Sequence, residues 1–310
     1  MDPVADPWDP EGATFVLDAD GRPQGGAIPG VGGLDVRAYY KQLVAARCLD
    51  VRLGRLGLPM FAPAAGEEAP LVATALVAAE QDWIYPGLRD AAIALVRGMP
   101  TDELAAQVLG KQGGAKLPGR VSSPALRIAG TTSSLAMHLA LAAGHAHGQK
   151  LTGDGGITFA LLGEGASTAG AFHESLAVAA ACDLPLVVVC RSQLWPNGAP
   201  AEAGVLGDSV AERAKGYGLW ERRVDGADPI AVYLAIAAAA ARARDRRGPA
   251  LVEVVVTQLV HDPPAHRDPV ERLRRHLDAA GQWTSMFQDV IEAEVRGKLD
   301  RAFAALGGAS

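Results

Sequence analysis

The chain has 310 residues, 49% of them hydrophobic, so it can bury a large core; its formal net charge of −6 argues against nucleic acid or an acidic membrane surface as the main partner. No apolar run reaches the length of a membrane span, and the acidic, proline-rich N-terminus does not resemble a signal peptide. Three cysteines, two of them in apolar runs, favour a reducing compartment without a disulfide framework, so we expect a soluble, cytoplasmic protein.

The N-terminal part of the chain is predicted to be an extended arm. Residues 1–34 are rich in glycine, proline and aspartate and show no helix or strand period. Such an arm is either held by a partner subunit or disordered, and the sequence leaves both open. Residues 35–310 are predicted to form a single domain.

Helices dominate the first half of that domain, and strands alternate with helices in the second half. Apolar spacing predicts helices over 35–57, from Glu67, up to Val96, over 100–111 and from Ala136 to near Gly144, with a short strand or loop at 82–86. Farther along, strands are predicted at 158–163, 185–190, 218–224 and 250–257, and helices at 171–182, 208–217, 229–246, 270–277 and 285–306. This alternation indicates an α/β fold in which helices cover both faces of a parallel sheet.

The stretch Gly163-Glu164-Gly165 is the first candidate site. A buried strand, a glycine turn and a helix start form a corner whose N–H groups and helix dipole attract anions. A carboxylate in such a corner would repel a diphosphate unless a divalent cation lay between them, an arrangement that suits Mg²⁺. The pattern therefore predicts a metal–diphosphate site, with an ordinary turn that carries a surface glutamate as the alternative.

The strands at 158–163 and 185–190 are predicted to be neighbours in the sheet, because a single helix joins them. Ligands of open parallel sheets bind at the carboxyl ends of neighbouring strands. Glu164 and the loop Arg191–Trp195 should therefore face one crevice.

Two other features have alternative readings. Arg89, at a turn, is a candidate phosphate ligand or a solvated, salt-bridged surface residue. His145 and His147 have the spacing of a metal-ligand pair but no third ligand nearby, so a polar helix end is the favoured interpretation.

Six short motifs match one known family. They are Gly66-Glu-Glu-Ala69, Arg89-Asp-Ala91, Ser133 to Ala136, Gly163-Glu164-Gly165, Cys190-Arg191 and Val224-Asp-Gly226. Through them, residues from about 35 to 277 resemble the alpha subunits of the first component of 2-oxo acid dehydrogenase complexes, most of all the branched-chain type. The resemblance implies the thiamine-diphosphate-binding fold, with thiamine diphosphate and Mg²⁺ as cofactors.

The resemblance also implies roles for individual residues. Mg²⁺ would be held by Glu164, Gln193 and the backbone carbonyl of Trp195, and the diphosphate by Arg89 and Arg191. Ser133 and the backbone of Leu135 would line the cleft for the cofactor's two rings, and Leu88, Gly165 and Ala166 would also contact the cofactor. Phe61 would stand near the acyl pocket, and His261 or His266 would replace the family's loop histidine, although Asp262 aligns about as well.

Several positions depart from the family pattern. Ser192-Gln193 stands where the family has two asparagines, Leu88 where it has an aromatic residue, and Asn197 where it has the hydrophobic prop of the cofactor. Thr257-Gln258 replaces a tyrosine–arginine pair, and the following loop is shortened to Leu259–Asp268.

These observations favour one function over two others. The favoured reading is an alpha-type subunit of a ThDP-dependent enzyme that decarboxylates a 2-oxo acid. It would work in an α2β2 assembly with a beta subunit and pass the acyl unit to a lipoyl or other carrier protein. The alternative is a non-catalytic, alpha-like scaffold that has lost the cofactor. A dinucleotide-binding oxidoreductase is disfavoured, because the third glycine is missing and Arg191 replaces the ribose-binding acid.

Overall fold

The computed structural model describes residues 8, 10–25, 33–58, 61–111, 119–194 and 209–307, which are organised around a five-stranded parallel sheet. The strands are β1 (Trp83–Tyr85), β2 (Thr158–Gly163), β3 (Leu186–Gln193), β4 (Trp220–Asp225) and β5 (Ala250–Val256). They lie in the order β1–β2–β3–β5–β4, and every neighbouring pair is parallel. Parallel neighbours need crossover connections, and helices supply them here.

Ten α-helices lie in the described part of the chain. They are α1 (Val36–Gly54), α2 (Glu68–Val77), α3 (Ala91–Val96), α4 (Thr101–Val108), α5 (Met137–Thr152), α6 (Gly170–Ala181), α7 (Val210–Gly216), α8 (Pro229–Arg244), α9 (Pro269–Ala279) and α10 (Ser285–Ala305). Short 3₁₀ turns cover 164–168, 259–261 and 265–267. Several helices begin at side-chain caps, as α8 does, where the Asp228 carboxylate accepts from the N–H groups of Ile230 and Ala231.

The sheet separates two hydrophobic cores. Along β3, Val187 and Val189 belong to the larger core with α1, α2 and α8, whereas Val188 and Cys190 belong to a smaller core with α5, α6 and α7. This alternation is the strand period of two, with both sets of side chains buried. The predicted α/β fold with helices on both faces of the sheet is confirmed.

Strand β3 is longer than predicted. It was expected to end at Cys190, before a loop, but the ladder with β5 continues through Arg191, Ser192 and Gln193. These polar residues remain in a strand because they have buried partners; the Ser192 hydroxyl, for example, donates to Glu253 at 2.8 Å. The ends of β2 and β3 lie side by side, with Gly163 opposite Arg191, as the predicted pairing requires.

Helix α5 also extends past its expected end near Gly144, to Thr152. His145 and His147 therefore lie inside the helix rather than at its end. His145 pairs through Nδ1 with the Tyr85 hydroxyl at 2.8 Å. Within the described residues, no group of three or more histidine, cysteine or acidic side chains is placed to hold a metal ion.

Part of the predicted arm packs on its own chain. Thr14 pairs in parallel with Val224 at the outer edge of β4. The backbone N–H groups of Val16 and Leu17 donate to the Asp228 carboxylate at 2.6 Å each, and Leu17 is fully buried. Residues 10–25 thus contact this chain, while an arm over 1–34 and a single domain over 35–310 stay predictions.

Two expectations concern the protein's surroundings. The three cysteines are free thiols; Cys48 and Cys190 are buried, and Cys182 is partly exposed. Over the described ranges, no helix combines the length and the apolar character needed to cross a membrane.

Candidate functional site

A cavity of about 250 Å³ opens at the carboxyl ends of β1, β2 and β3. Its walls are Glu67, the turn 87–89 after β1, the segment 132–136 with His138 at the start of α5, Leu162, Gly163, Glu164 and Ala166 at the end of β2, and Arg191 and Gln193 of β3. This is the edge of an open parallel sheet at which ligands bind. Glu164 and the polar end of β3 face one cavity, as predicted from the order of the strands.

The turn that carries Glu164 is held from two sides. Instead of entering a helix directly, the chain forms a 3₁₀ turn over 164–168, and α6 follows from Gly170. The Ser167 hydroxyl donates to the carbonyl oxygen of Glu164 at 2.6 Å. Arg213 of α7 donates to that hydroxyl at 2.8 Å, so the turn is fixed to a neighbouring helix.

The Glu164 carboxyl group lies in an environment that disfavours its charge. Burial raises the pKa of this carboxyl, and the nearby Glu67 carboxylate raises it further, although backbone N–H groups of Glu164 and Gln193, together with Arg191, act in the opposite direction. A divalent cation beside Glu164 would reverse this balance, because it stabilises the carboxylate form. The site therefore has the electrostatic character of a cation site.

Glu67 is the centre of the polar network, and the sequence analysis missed it. Its side chain is 1% exposed, and its Oε1 accepts from Arg89 Nη1 at 3.1 Å and from Gln193 Nε2 at 2.6 Å. The same oxygen accepts from Gln258 Nε2 at 3.1 Å, and Oε2 lies 3.1 Å from Arg191 Nη1. Four segments of the chain therefore meet at one buried carboxylate.

Gly66 explains how Glu67 reaches this position. Gly66 has φ +96°, and a Cβ atom there would lie 2.0 Å from the carbonyl oxygen of Thr257. Only glycine permits this close approach of the turn to the end of β5. The glycine before the two glutamates of Gly66-Glu-Glu-Ala69 is the signal in the sequence, although the pattern itself predicts only that both acids lie in a first helical turn.

The two arginines differ in accessibility. The Arg191 side chain is 5% exposed and lies 2.6 Å from Asp90 and 3.1 Å from Glu67. Burial alone would lower the pKa of Arg191, but Asp90 and Glu67 raise it, so the guanidinium stays charged and is neutralised by two acids. The Arg89 side chain is 36% exposed and, among the described residues, pairs with Glu67, so Arg89 is the more available cation.

The residues present fit a metal–diphosphate group. Gln193 Oε1 and Arg191 Nε are both buried and have no hydrogen-bond partner among the described residues. Buried polar atoms in native proteins are nearly always paired, so these two atoms are where a ligand in the cavity would complete the pairing. The amide oxygen matches a hard cation, and the guanidinium N–H matches a phosphate oxygen.

The predicted site residues fall into three groups. Leu88, Arg89, Ser133, Leu135, Glu164, Ala166, Arg191 and Gln193 line the cavity, and Gly165 lies in the turn beside them. Phe61 packs against the larger core and His266 is half-buried in the 265–267 turn; neither is among the residues that line the cavity. Trp195, Asn197 and the side chain of His261 lie outside the described residues. The predicted roles of all these residues stay predictions.

Comparison with known proteins identifies the family to which the chain is similar. A family model described as dehydrogenase E1 component matches residues 44–261. The chain is 33% identical over 282 residues to the 3-methyl-2-oxobutanoate dehydrogenase subunit alpha of Mycobacterium tuberculosis, an alignment that covers 84% of this chain and 75% of that protein. It is 28% identical over 301 residues to the pyruvate dehydrogenase E1 component subunit alpha of Bacillus cereus, covering 90% and 79%. The 2-oxoisovalerate dehydrogenase subunit alpha of Bacillus subtilis is 30% identical over 251 residues, covering 78% and 76%.

The chain therefore belongs to the dehydrogenase E1 component family, whose match spans most of its length. All three relatives are alpha subunits, and the resemblance inferred from the motifs is confirmed. This family uses thiamine diphosphate, and its alpha subunits act as 2-oxo acid dehydrogenase components together with beta subunits.

Proposed function

We propose that this chain holds the metal and the diphosphate of ThDP in an α2β2 enzyme that decarboxylates a 2-oxo acid and passes the acyl unit to a lipoyl or other carrier protein. The observation that carries the proposal is the cavity in which Glu164, Arg89 and the unpaired Gln193 Oε1 meet. Two of the relatives are named for branched-chain 2-oxo acids, so that substrate class is the first to assay. A cytoplasmic location is part of the proposal.

The residues divide the task of binding. Glu164 and Gln193, with the backbone carbonyl of Trp195, would hold Mg²⁺, and Arg89 and Arg191 would balance the diphosphate charge. Ser133 and Leu135 would border the two rings. When bound, ThDP supplies the electron sink that decarboxylation of a 2-oxo acid requires.

The remaining predicted residues belong to the substrate side of the proposal. Phe61 would border the acyl group, and His261 or His266 would serve as the histidine of the shortened loop. Arg272 donates to the carbonyl oxygen of His266 at 2.8 Å and 3.0 Å, which fixes the backbone of this loop.

Binding of ThDP to the chain co-expressed with its beta subunit tests the proposal. Titration calorimetry with ThDP and Mg²⁺ should show micromolar affinity that a chelator abolishes. Glu164→Ala should weaken ThDP binding at least about a hundredfold, since it removes a charged metal ligand. Glu174→Ala changes an exposed glutamate on α6 and should bind as the wild type does. Unchanged affinity in Glu164→Ala would remove Glu164 from the metal site.

The second candidate is the non-catalytic scaffold, and one observation favours it. Arg191 is neutralised by Asp90 and Glu67, so one of the two diphosphate cations is already paired within the chain. An intact complex with the beta subunit that binds no ThDP at any Mg²⁺ concentration would support the scaffold and reject the enzyme.

A further inference from the structure

We propose that Glu67 is a positioning residue for the cation site: it holds the amino end of the Gln193 side-chain amide, and so leaves the amide oxygen free for the metal ion. The inference rests on the proposed function, because it concerns the cation that Glu164 and Gln193 would share. It gives a role to a buried acid that neither the motifs nor the predicted ligands assigned.

The contact between the two side chains is direct and buried. Gln193 Nε2 donates to Glu67 Oε1 at 2.6 Å, and the Glu67 side chain is 1% exposed. The other end of the same amide, Oε1, is buried and has no hydrogen-bond partner among the described residues. Gln193 and Glu164 line the same cavity, and the backbone of Gln193 is one of the groups that lower the pKa of Glu164. The unpaired oxygen therefore belongs to a residue that shares the cavity with the proposed metal ligand Glu164.

An amide has two ends of similar shape and opposite hydrogen-bonding character, so its orientation depends on its partners. A flipped Gln193 would place its oxygen against the Glu67 oxygen, two acceptors at hydrogen-bond distance without a proton between them. Only the observed orientation lets the amide donate to Glu67. A carboxylate in this position thus selects which end of the glutamine amide is left unpaired.

Glu67 is itself prevented from turning away. Arg89, Arg191 and Gln258 all donate to or pair with its carboxylate, and Gly66 holds its backbone against Thr257. Glutamine has one more rotatable bond than the asparagine of the family pattern, so it has more freedom to lose before it can act as a ligand. The contact with Glu67 restricts that freedom before a cation arrives. In this chain, the carboxylate compensates for the longer side chain.

A double-mutant cycle on the metal affinity tests this role. The probe is Mn²⁺, counted by electron paramagnetic resonance in the chain co-expressed with its beta subunit and saturated with ThDP. Glu67→Gln should weaken Mn²⁺ binding by roughly tenfold to a hundredfold, the range for partners that orient a ligand. In a Gln193→Leu background, which has no amide oxygen to orient, Glu67→Gln should change the affinity less than about twofold. The surface variant Glu80→Gln controls for the lost charge.

The outcomes separate this inference from the proposed function. If the wild-type complex binds no Mn²⁺, both are rejected. If it binds and Glu67→Gln weakens binding equally in both backgrounds, Glu67 acts through its charge or the fold, and only the positioning role is rejected. A merely structural residue would not show the dependence on Gln193.

A second pair of variants covers the case in which Glu67→Gln alone folds poorly. Gln193→Glu places two carboxylates in contact and should lower the melting temperature. Adding Glu67→Gln to Gln193→Glu should restore it, because the amide then donates in the opposite direction. Failure of the double variant to recover stability would contradict the pairwise contact that the inference requires.

Discussion

At the scale of single residues, the site contains acidic side chains whose negative charge a bound cation would balance. Three acids, Glu67, Glu164 and Asp90, lie at or near a cavity that also has two arginines. One of these arginines, Arg191, already forms ion pairs with Glu67 and Asp90. The free protein therefore carries an electrostatic cost at Glu164, visible as a pKa above the ordinary value of a glutamate, first through burial and then through Glu67. The charged carboxylate that would bind the cation therefore lowers the stability of the free protein.

That opposition leads to a stability prediction for Glu164→Gln in the metal-free protein. Because the folded-state pKa of Glu164 exceeds its unfolded value, the ionised group destabilises the fold fully above the folded-state pKa and not at all below the unfolded one. The variant should raise the melting temperature at pH 7–8 by roughly 2 °C, and this gain should shrink as the pH falls. Calorimetry in a chelator, with Glu174→Gln as the control, measures it. A lower melting temperature at neutral pH would show that hydrogen bonds to Glu164 outweigh its burial.

At the scale of elements, the turn before α2 positions the network. Gly66 and Gly98 have similar positive φ values, +96° and +88°, but only Gly66 has a backbone atom in the space that a Cβ would fill. Gly98→Ala should cost about 1 kcal/mol for the left-handed backbone alone. Gly66→Ala should cost at least about 3 kcal/mol, because α2 must move away from Thr257. Urea denaturation of the two variants compares these costs in free energy of unfolding. Equal values would mean that the backbone at Gly66 can move away from Thr257 without loss of stability.

A buried ion cluster ties α9 to the sheet. Asp225, at the end of β4, lies 2.7 Å from both Arg267 and Arg272, and all three side chains are at most 5% exposed. Burial would raise the pKa of Asp225, but the two arginines hold it below its ordinary value. The stabilisation from this acid is therefore present above the unfolded-state pKa and is lost as the pH falls through the folded-state value.

Asp225→Asn should destabilise the protein by about 3–5 kcal/mol, since it leaves two buried arginines without their common acid. Asp278→Asn on α9 is the matched control, because Asp278 is 58% exposed and lies 3.7 Å from Arg274. Its effect should stay within about 0.5 kcal/mol. Chemical denaturation at pH 7 measures both, and similar losses would show that the cluster does not hold α9.

The elements also show what the sequence could and could not predict. Buried parallel strands such as β3 and β5 are continuous apolar runs, so their existence and order followed from the pattern. The last three residues of β3 were missed because polar side chains at a strand end resemble a loop, and their partners, Glu253 and Glu67, come from distant segments. Glu67 was missed for the same reason: its role depends on contacts with 89, 191, 193 and 258 that no local spacing encodes.

At the scale of the whole molecule, exposed apolar side chains lie at and just before the start of α5. Leu135, Met137 and Leu141 are 59%, 44% and 51% exposed; Leu135 lines the cavity, and Met137 and Leu141 lie in the first turns of α5. Apolar side chains grouped around a functional cavity are typical of an interface. We expect the beta subunit to cover this surface, which would also enclose the cavity.

Leu141→Asp should then weaken association with the beta subunit by about 2 kcal/mol or more, roughly thirtyfold, without changing the fold. Met286→Asp on α10 is the control, because Met286 is 74% exposed and lies on another helix. Analytical ultracentrifugation of the co-expressed complex compares the two variants. Equal association in both would place the beta subunit elsewhere on the molecule.

The two outer strands of the sheet share a feature that bears on aggregation. The free edge of β4 is paired with Thr14, and the free edge of β1 is paired with Ile128, each through a single bridge. An uncovered strand edge is a template for pairing with another chain. Two short segments from the first half of the sequence, around Thr14 and Ile128, therefore cover the two edges of the sheet. Removal of either segment would take away none of the residues that line the cavity, yet it would expose a strand edge to which a neighbouring chain can add a strand.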